Sequence, residues 1–332
     1  MAEPVPHPRE TFVLEGHAEN EAAFEAARLR GRLHHAWLLV GPEGVGKATF
    51  AYRAARRLLG APPLSGEPGL SAAPDHPVSR QVIARSHPDL FVLERLGEDG
   101  KVRKVIPVDE ARRLGEFFSK TPASAPHRVA IVDAADDLNV NAANAVLKTL
   151  EEPPPHGVLL LVSHAPGRLL PTIRSRCRRL GFQPLAPEAA ATFVSDRLGA
   201  TEEDALRLAR MAGGAPGRAL TLGAAGALVL DDAARALLLD LPRVDEGAAL
   251  VLADRFKGGE GAQQFALLFE RLAERVHGTV VDCAAGGQGR LDRWAQAWET
   301  LQRLPREAEA LNLDRADAFF TALAELRDAA RA

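Results

Sequence analysis

His35-Ala36-Trp37-Leu38-Leu39-Val40-Gly41-Pro42-Glu43-Gly44-Val45-Gly46-Lys47-Ala48-Thr49 is the stretch on which the rest of the chain turns. A short apolar run bounded by glycine predicts a buried strand, and Lys47 to Leu59 predicts a helix with Phe50, Ala54, Leu58 and Ala51, Ala55, Leu59 on one face. Strand, glycine loop and helix in this order make a phosphate-binding loop. Gly41, Pro42, Gly44 and Gly46 let backbone N–H groups turn inward, the helix N-terminus adds its positive dipole end, and Lys47 reaches the outer phosphates. The next residue should carry the hydroxyl that coordinates Mg²⁺, but it is Ala48. Thr49 comes one position late and on a helix points about 100° away. The expectation is a nucleotide-type pocket that holds ATP or ADP weakly or not at all, with impaired metal binding.

Outward from this loop the first half alternates apolar runs with helical periods, the pattern of a parallel sheet with crossover helices. Strands are expected at His35 to Val40, Asp89 to Glu94, Arg128 to Val132, Val158 to Ser163 and Arg178 to Phe182. Helices are expected at Glu19 to Leu33, Lys47 to Leu59, Pro107 to Lys120 and Asn141 to Glu152. Gly60 to Pro88, rich in Pro, Gly and Ser, reads mostly as a surface insertion. After Pro184 the strand signal ends, and helices from Pro187 to Leu198, from Glu202 to Met211 and from near Arg218 predict a small three-helix domain. Beyond residue 229 the sequence is Ala- and Leu-rich helix with breaks at Gly258-Gly259 and Gly286 to Gly289, consistent with a bundle. The expected fold is α/β, with domains at 1–183, 184–228 and 229–332.

Composition narrows the function classes. Lys plus Arg total 41 against 44 Asp plus Glu, a formal net charge of -3, so the molecule as a whole is not an electrostatic nucleic-acid binder. The longest run of Val, Leu and Ile, Val158 to Val162, is far short of a membrane span, and Met1 to Glu10 lacks an apolar signal core. A cytoplasmic protein with no membrane association is expected. The two cysteines, Cys177 and Cys283, are far apart and read as reduced thiols, so no zinc site is expected.

The run Val129-Ala130-Ile131-Val132 ends in Asp133, the position of a Walker B aspartate that holds Mg²⁺. A hydrolase of this type follows it with the glutamate that orients the attacking water, but here Ala134 follows. Asp136 and Asp137 lie in the opening of a turn or helix, where neither substitutes without rearranging the strand end. Phosphoryl transfer asks little of a protein besides positioning and electrostatics, and two suppliers of both are missing. The chain is not expected to hydrolyse ATP on its own.

Asn141-Ala142-Ala143-Asn144-Ala145-Val146-Leu147-Lys148-Thr149-Leu150-Glu151-Glu152-Pro153-Pro154 and Leu170-Pro171-Thr172-Ile173-Arg174-Ser175-Arg176-Cys177 together resemble the clamp-loader branch of AAA+ proteins, the subunits that serve bacterial DNA polymerase III. In the first run Asn141 reads as N-cap, with Ala145, Val146, Leu147 and Leu150 as the apolar face. An ordinary amphipathic helix would explain that face but not the Glu151-Glu152-Pro153-Pro154 ending. The second run resembles the family's Ser-Arg-Cys motif, which makes Arg176 an arginine finger that stabilises charge on a neighbouring subunit's ATP. Ser163 matches sensor 1, near the γ-phosphate, and Arg218 in Gly214-Ala215-Pro216-Gly217-Arg218 resembles sensor 2, although a strand-ending serine and a loop before a helix explain these as well.

The resemblance implies an AAA+ P-loop domain, a helical lid and a C-terminal helical collar through which subunits assemble in a ring. It implies motor subunits, gamma or tau, and a delta subunit as partners, with the sliding clamp and primed DNA met through the complex. Family members commonly carry a four-cysteine zinc module after the P-loop helix. Gly60 to Pro88 has no cysteine, and His76 with His87 does not make a site. Two rival readings are a self-sufficient AAA+ ATPase such as a branch-migration motor, opposed by Ala48 and Ala134, and a DNA-binding module, opposed by the net charge and by a single Tyr and 3 Trp.

Overall fold

A computed structural model describes residues 5–66, 69–97, 102–286 and 291–331, with the backbone alone for 282–286 and 291. Five parallel strands form one sheet: β1 (Ala36–Val40), β2 (Leu90–Glu94), β3 (Arg128–Asp133), β4 (Gly157–Ser163) and β5 (Arg178–Gly181), in the order β2-β3-β4-β1-β5. Each expected strand is present within one residue of its expected ends. The register sets Trp37 beside Leu160 on one side and Arg178 on the other.

The near-continuous apolar runs are explained by burial on both faces. Trp37, Leu39, Val129, Ile131, Leu160 and Val162 pack with Phe24 of α1 (Ala18–Leu29) and Phe50, Ala54 and Leu58 of α2 (Lys47–Leu58). Val82 of α3 (Pro77–Ile83) joins the same layer. The alternate residues Leu38, Val40, Ala130, Val132, Leu159 and Leu161 pack with Leu114 of α4 (Val108–Phe118), Val146 and Leu150 of α5 (Val140–Glu151) and Ile173 of α6 (Pro171–Arg176). Period-two alternation thus sorts the strands between two helical layers. The helix after β1, α2, lies on one face and the helix after its neighbour β4, α6, on the other, so a crevice opens at the C-terminal ends of β1 and β4, where open α/β sheets bind ligands.

Three local expectations are corrected. The helix after β3 begins at Val140, and Asn139 rather than Asn141 is its N-cap, accepting a hydrogen bond from the Ala142 N–H at 2.9 Å. Helix α2 is not one-faced, since Tyr52, Arg53, Arg56 and Arg57 are also buried. Arg53 reaches Glu21 at 2.6 Å and Ser71 at 3.0 Å and donates to the Phe12 carbonyl; Arg56 donates to the Arg9 carbonyl and lies over the Phe12 ring. Through these arginines the N-terminal strap and the segment after α2 are drawn onto its outer face. That segment is therefore not simply surface, because it contains α3 and fully buries Leu70 and Val82. Its two histidines act locally: His76 caps α3 by accepting from the Val78 N–H, and His87 accepts from the Asp89 N–H. Among the described residues no group of three or more His, Cys, Asp or Glu is placed to hold a metal ion.

Beyond β5 come α7 (Pro187–Leu198), α8 (Glu202–Met211) and α9 (Pro216–Ala224), the last beginning at Pro216 rather than near Arg218. The chain parts into two compact units between Leu220 and Thr221. The second unit contains α10 (Ala227–Leu239), α11 (Glu246–Asp254), α12 (Gly258–Gly286), α13 (Leu291–Leu311) and α14 (Arg315–Arg331). Phe256 makes edge contacts with Phe265 and Phe319 in its core, and Arg275 grips Asp231 bidentately at 3.0 and 2.7 Å. Gly258 opens α12 as expected of a break, whereas the expected break at Gly286 to Gly289 falls largely outside the described residues, as does the Cys283 side chain. No helix among the described residues is long and apolar enough to cross a membrane.

Candidate nucleotide-type site and arginine edge

The loop after β1 keeps the turn that phosphate binding needs. Gly44 and Gly46 have φ of +74° and +107°, a region side-chain-bearing residues rarely adopt, and a Cβ at Gly44 would run into the backbone of Arg218. The side chains around the loop fit a magnesium triphosphate poorly. Lys47 is buried, and its ammonium donates to the Gly41 carbonyl at 2.7 Å and to the Pro42 carbonyl. Burial lowers its pKa to about 8, against the opposing pull of Asp133, Asp136 and Glu43. Ala48 offers no oxygen, and Thr49 sits one residue further along the first turn of α2.

Two other segments close on the loop. The Gly217 N–H donates to the Gly44 carbonyl at 2.8 Å, docking the start of α9 on the loop and bringing Arg218 there with it. Leu14 packs at Gly46, and the buried His17 donates from Nε2 to the Val45 carbonyl at 2.9 Å. Burial holds His17 below its ordinary value, which suits a neutral ring in that role.

Asp133 ends β3 beside Glu94 of β2. Burial pushes its carboxyl up to about 6, with Glu94 adding repulsion. Burial would likewise raise Glu94, but His7, Arg85 and Arg9 outweigh it and hold that carboxyl below its usual range. Asp136 accepts from the Ser163 hydroxyl at 3.0 Å, the His164 N–H at 2.6 Å and the Ala165 N–H at 3.1 Å. Ser163 is fully buried, so the hydroxyl at the sensor 1 position joins the ends of β3 and β4. Asp137 pairs with Arg95 at 3.0 Å. Of the residues singled out from sequence, Gly41, Pro42, Gly44, Gly46, Lys47, Asp133, Ser163 and Arg218 gather at this one end of the sheet. Those that sequence reasoning missed, Leu14, His17 and Glu94, arrive from far along the chain and carry no local signature.

Arg176 lies at the other end. It closes α6 just before β5, and the register puts Arg178 level with Trp37, four residues or roughly 13 Å before Gly41. Its guanidinium donates to the Thr172 carbonyl at 3.1 Å and pairs with Glu151 at 3.0 Å. Cys177 packs into the layer below, and burial pushes its thiol up to about 12, so this cysteine anchors the end of α6 as an apolar group. Ser175 donates to the Thr172 carbonyl at 3.1 Å. Arg174, Arg178 and Arg179 are exposed beside it, with Arg178 over the Trp37 ring.

A parallel sheet with a P-loop at its crevice, followed by a helical segment docked on that loop, defines an AAA+ protein. The family model described as DNA polymerase III, delta subunit, matches residues 16–186, and the chain belongs to that family of clamp-loader proteins. It is 38% identical over 193 residues to DNA polymerase III subunit delta' of Pseudomonas aeruginosa, covering 57% of this chain and 56% of that one. It is 34% identical over 169 residues to the subunit of the same name from Bacillus subtilis, covering 51% and 47%. The chain thus spans about half the length of the curated relatives it matches. The crystal structure of a DNA polymerase III gamma subunit-related protein from Thermotoga maritima shares the fold, with a TM-score of 0.50 and 20% identity over 95% of this chain and 100% of that one.

Proposed function

We propose that this chain is the delta-prime subunit of a DNA polymerase III clamp loader, which assists ATP-dependent loading of the sliding clamp onto primed DNA without hydrolysing ATP itself. The observation that carries the proposal is the separation of its two functional ends. Arg176 lies on the far side of the sheet from Lys47, so it serves a nucleotide held by a neighbouring subunit and not its own loop. Gamma or tau is that neighbour, and delta completes the set of partners. The loop at Lys47 holds ATP or ADP weakly at most, because the ammonium must leave two carbonyls and Ala48 brings no ligand for Mg²⁺. Ser163 and Arg218 shape that pocket, and residues 1–183, 184–228 and 229–332 act as AAA+ domain, lid and collar.

Arg176→Ala tests this reading in a complex reconstituted with the motor and delta subunits, the clamp and primed DNA. Fingers of this kind contribute on the order of 10³ to 10⁵ in rate in other nucleotide hydrolases, and the bulk loss is smaller in a ring with several ATP sites. Assembly should be unchanged, while DNA-stimulated ATPase and clamp loading fall. Arg176→Lys should restore only part, since a point charge lacks the planar fork. Wild-type rates with Arg176→Ala, or an equal defect with Arg179→Ala, would overturn the assignment.

A further inference from the structure

We infer that Glu151 is a positioning residue for Arg176, which explains the acidic ending of the helix after β3; the inference rests on the proposed role of Arg176 in trans. Glu151 and Glu152 occupy the C-terminal end of α5, where the helix dipole disfavours negative charge. Helix stability therefore gives no reason for two acids at this place. A reason lies across the α5–α6 contact, where the Glu151 carboxylate meets Nη2 of Arg176 at 3.0 Å while Nη1 donates to the Thr172 carbonyl at 3.1 Å. These are two of the five N–H groups on a guanidinium, and each fixes a different nitrogen. A planar group held at two points is restricted in how it turns, while its remaining donors stay available to an incoming phosphate oxygen.

Both side chains are partly exposed, 37% for Arg176 and 46% for Glu151, so the pair contributes little to stability. Its value lies in orientation. A free arginine gives up much rotamer freedom when it docks on a neighbour's phosphate, and an arginine already held by Glu151 gives up less. Glu152, next in sequence and exposed, pairs with no basic side chain among the described residues, which makes it the matched control.

The test is a double-mutant cycle in the reconstituted complex, with ATP turnover measured against ATP concentration. Glu151→Gln should lower kcat roughly 1.5- to fivefold, the range of an exposed ion pair, with KM for ATP unchanged. In the Arg176→Ala background it should have no further effect. Because the substitution removes a charge that opposes the helix dipole, the thermal midpoint of the chain should hold or rise, opposite to what a merely structural role predicts. Glu152→Gln should leave turnover unchanged. An equal loss from Glu151→Gln with and without Arg176, a rise in kcat, or an equal loss from Glu152→Gln would each overturn the inference while leaving the finger intact. A normal rate with Arg176→Ala alone would instead remove the finger itself.

Discussion

Asp136→Ala is the substitution whose cost follows most directly from the geometry of the crevice. The carboxylate accepts three hydrogen bonds, and its loss strands three donors of unequal exposure. The Ser163 hydroxyl is fully buried, and leaving it without a partner costs about 1 to 3 kcal/mol. The His164 amide is exposed and the Ala165 amide half-buried, so both turn partly to water and lose about 0.5 to 1 kcal/mol each. The expected loss is about 3 kcal/mol, a large share of a typical domain's stability of about 5 to 15 kcal/mol. Asp136→Asn should cost about half as much, because one carbonyl oxygen remains as acceptor. Ser163→Ala removes the stranded hydroxyl, so the pair should couple by about 1 to 2 kcal/mol in a double-mutant cycle. Urea unfolding of the full chain gives the energies, and hydrogen exchange of β3 and β4 peptides locates the loss. A cost for Asp136→Ala below about 1 kcal/mol, or simple additivity with Ser163→Ala, refutes this account of the crevice.

Stability should fall as pH drops below about 6.5. His17, His35, His87, His127 and His164 are all held below the ordinary 6.5 by burial, so the unfolded chain takes up protons first as pH passes down through that value. Glu25, held down first by its hydrogen bond from Arg28, and Asp89, held down by three backbone N–H groups that outweigh its burial, extend the loss below the usual carboxylate range. Asp133, raised to about 6, opposes the trend and is outnumbered; a thermal midpoint that rises between pH 7 and pH 5 would contradict the balance. The isolated chain should show no magnesium-dependent ATP turnover, and Ala48→Thr alone or Ala134→Glu alone should not create it; turnover comparable to a motor subunit would sink the proposal. Elemental analysis of untagged protein should find no stoichiometric zinc, and one tightly held equivalent would contradict that expectation.

The sheet was legible in the sequence because burial on both faces leaves an apolar run that no polar residue interrupts, as in Val158 to Val162. The glycine loop was legible because its backbone conformation restricts residue type, and Gly44 and Gly46 do sit at positive φ. Helix α2 was only half legible. Arg53, Arg56 and Arg57 look like a solvated face in one dimension, and they are buried only because the strap and the segment after α2 bring carbonyls and a hydroxyl to them and α1 brings two carboxylates. Nothing in the periodicity of α2 encodes that, since the partners lie at Phe12, Arg9 and Glu25. The insertion was misjudged for the same reason: short apolar contributions such as Leu70 and Val82 carry no period of their own.

The polar residues of the crevice follow one rule. Lys47 is held by the loop's own carbonyls and Ser163 by Asp136, so two side chains that would turn toward a nucleotide already have partners inside the fold. A phosphate arriving at this loop must displace those bonds, and without a hydroxyl at position 48 it has no magnesium ligand there to offset them. Arg176 and Glu151 differ in kind: they are partly exposed and joined by a surface pair that water and salt weaken easily. Interactions that fix a fold belong in the first class, and a contact that must form with a second subunit belongs in the second. The division between the two ends of the sheet is therefore the physical basis of the proposal that the P-loop serves the fold and the arginine edge a neighbouring subunit.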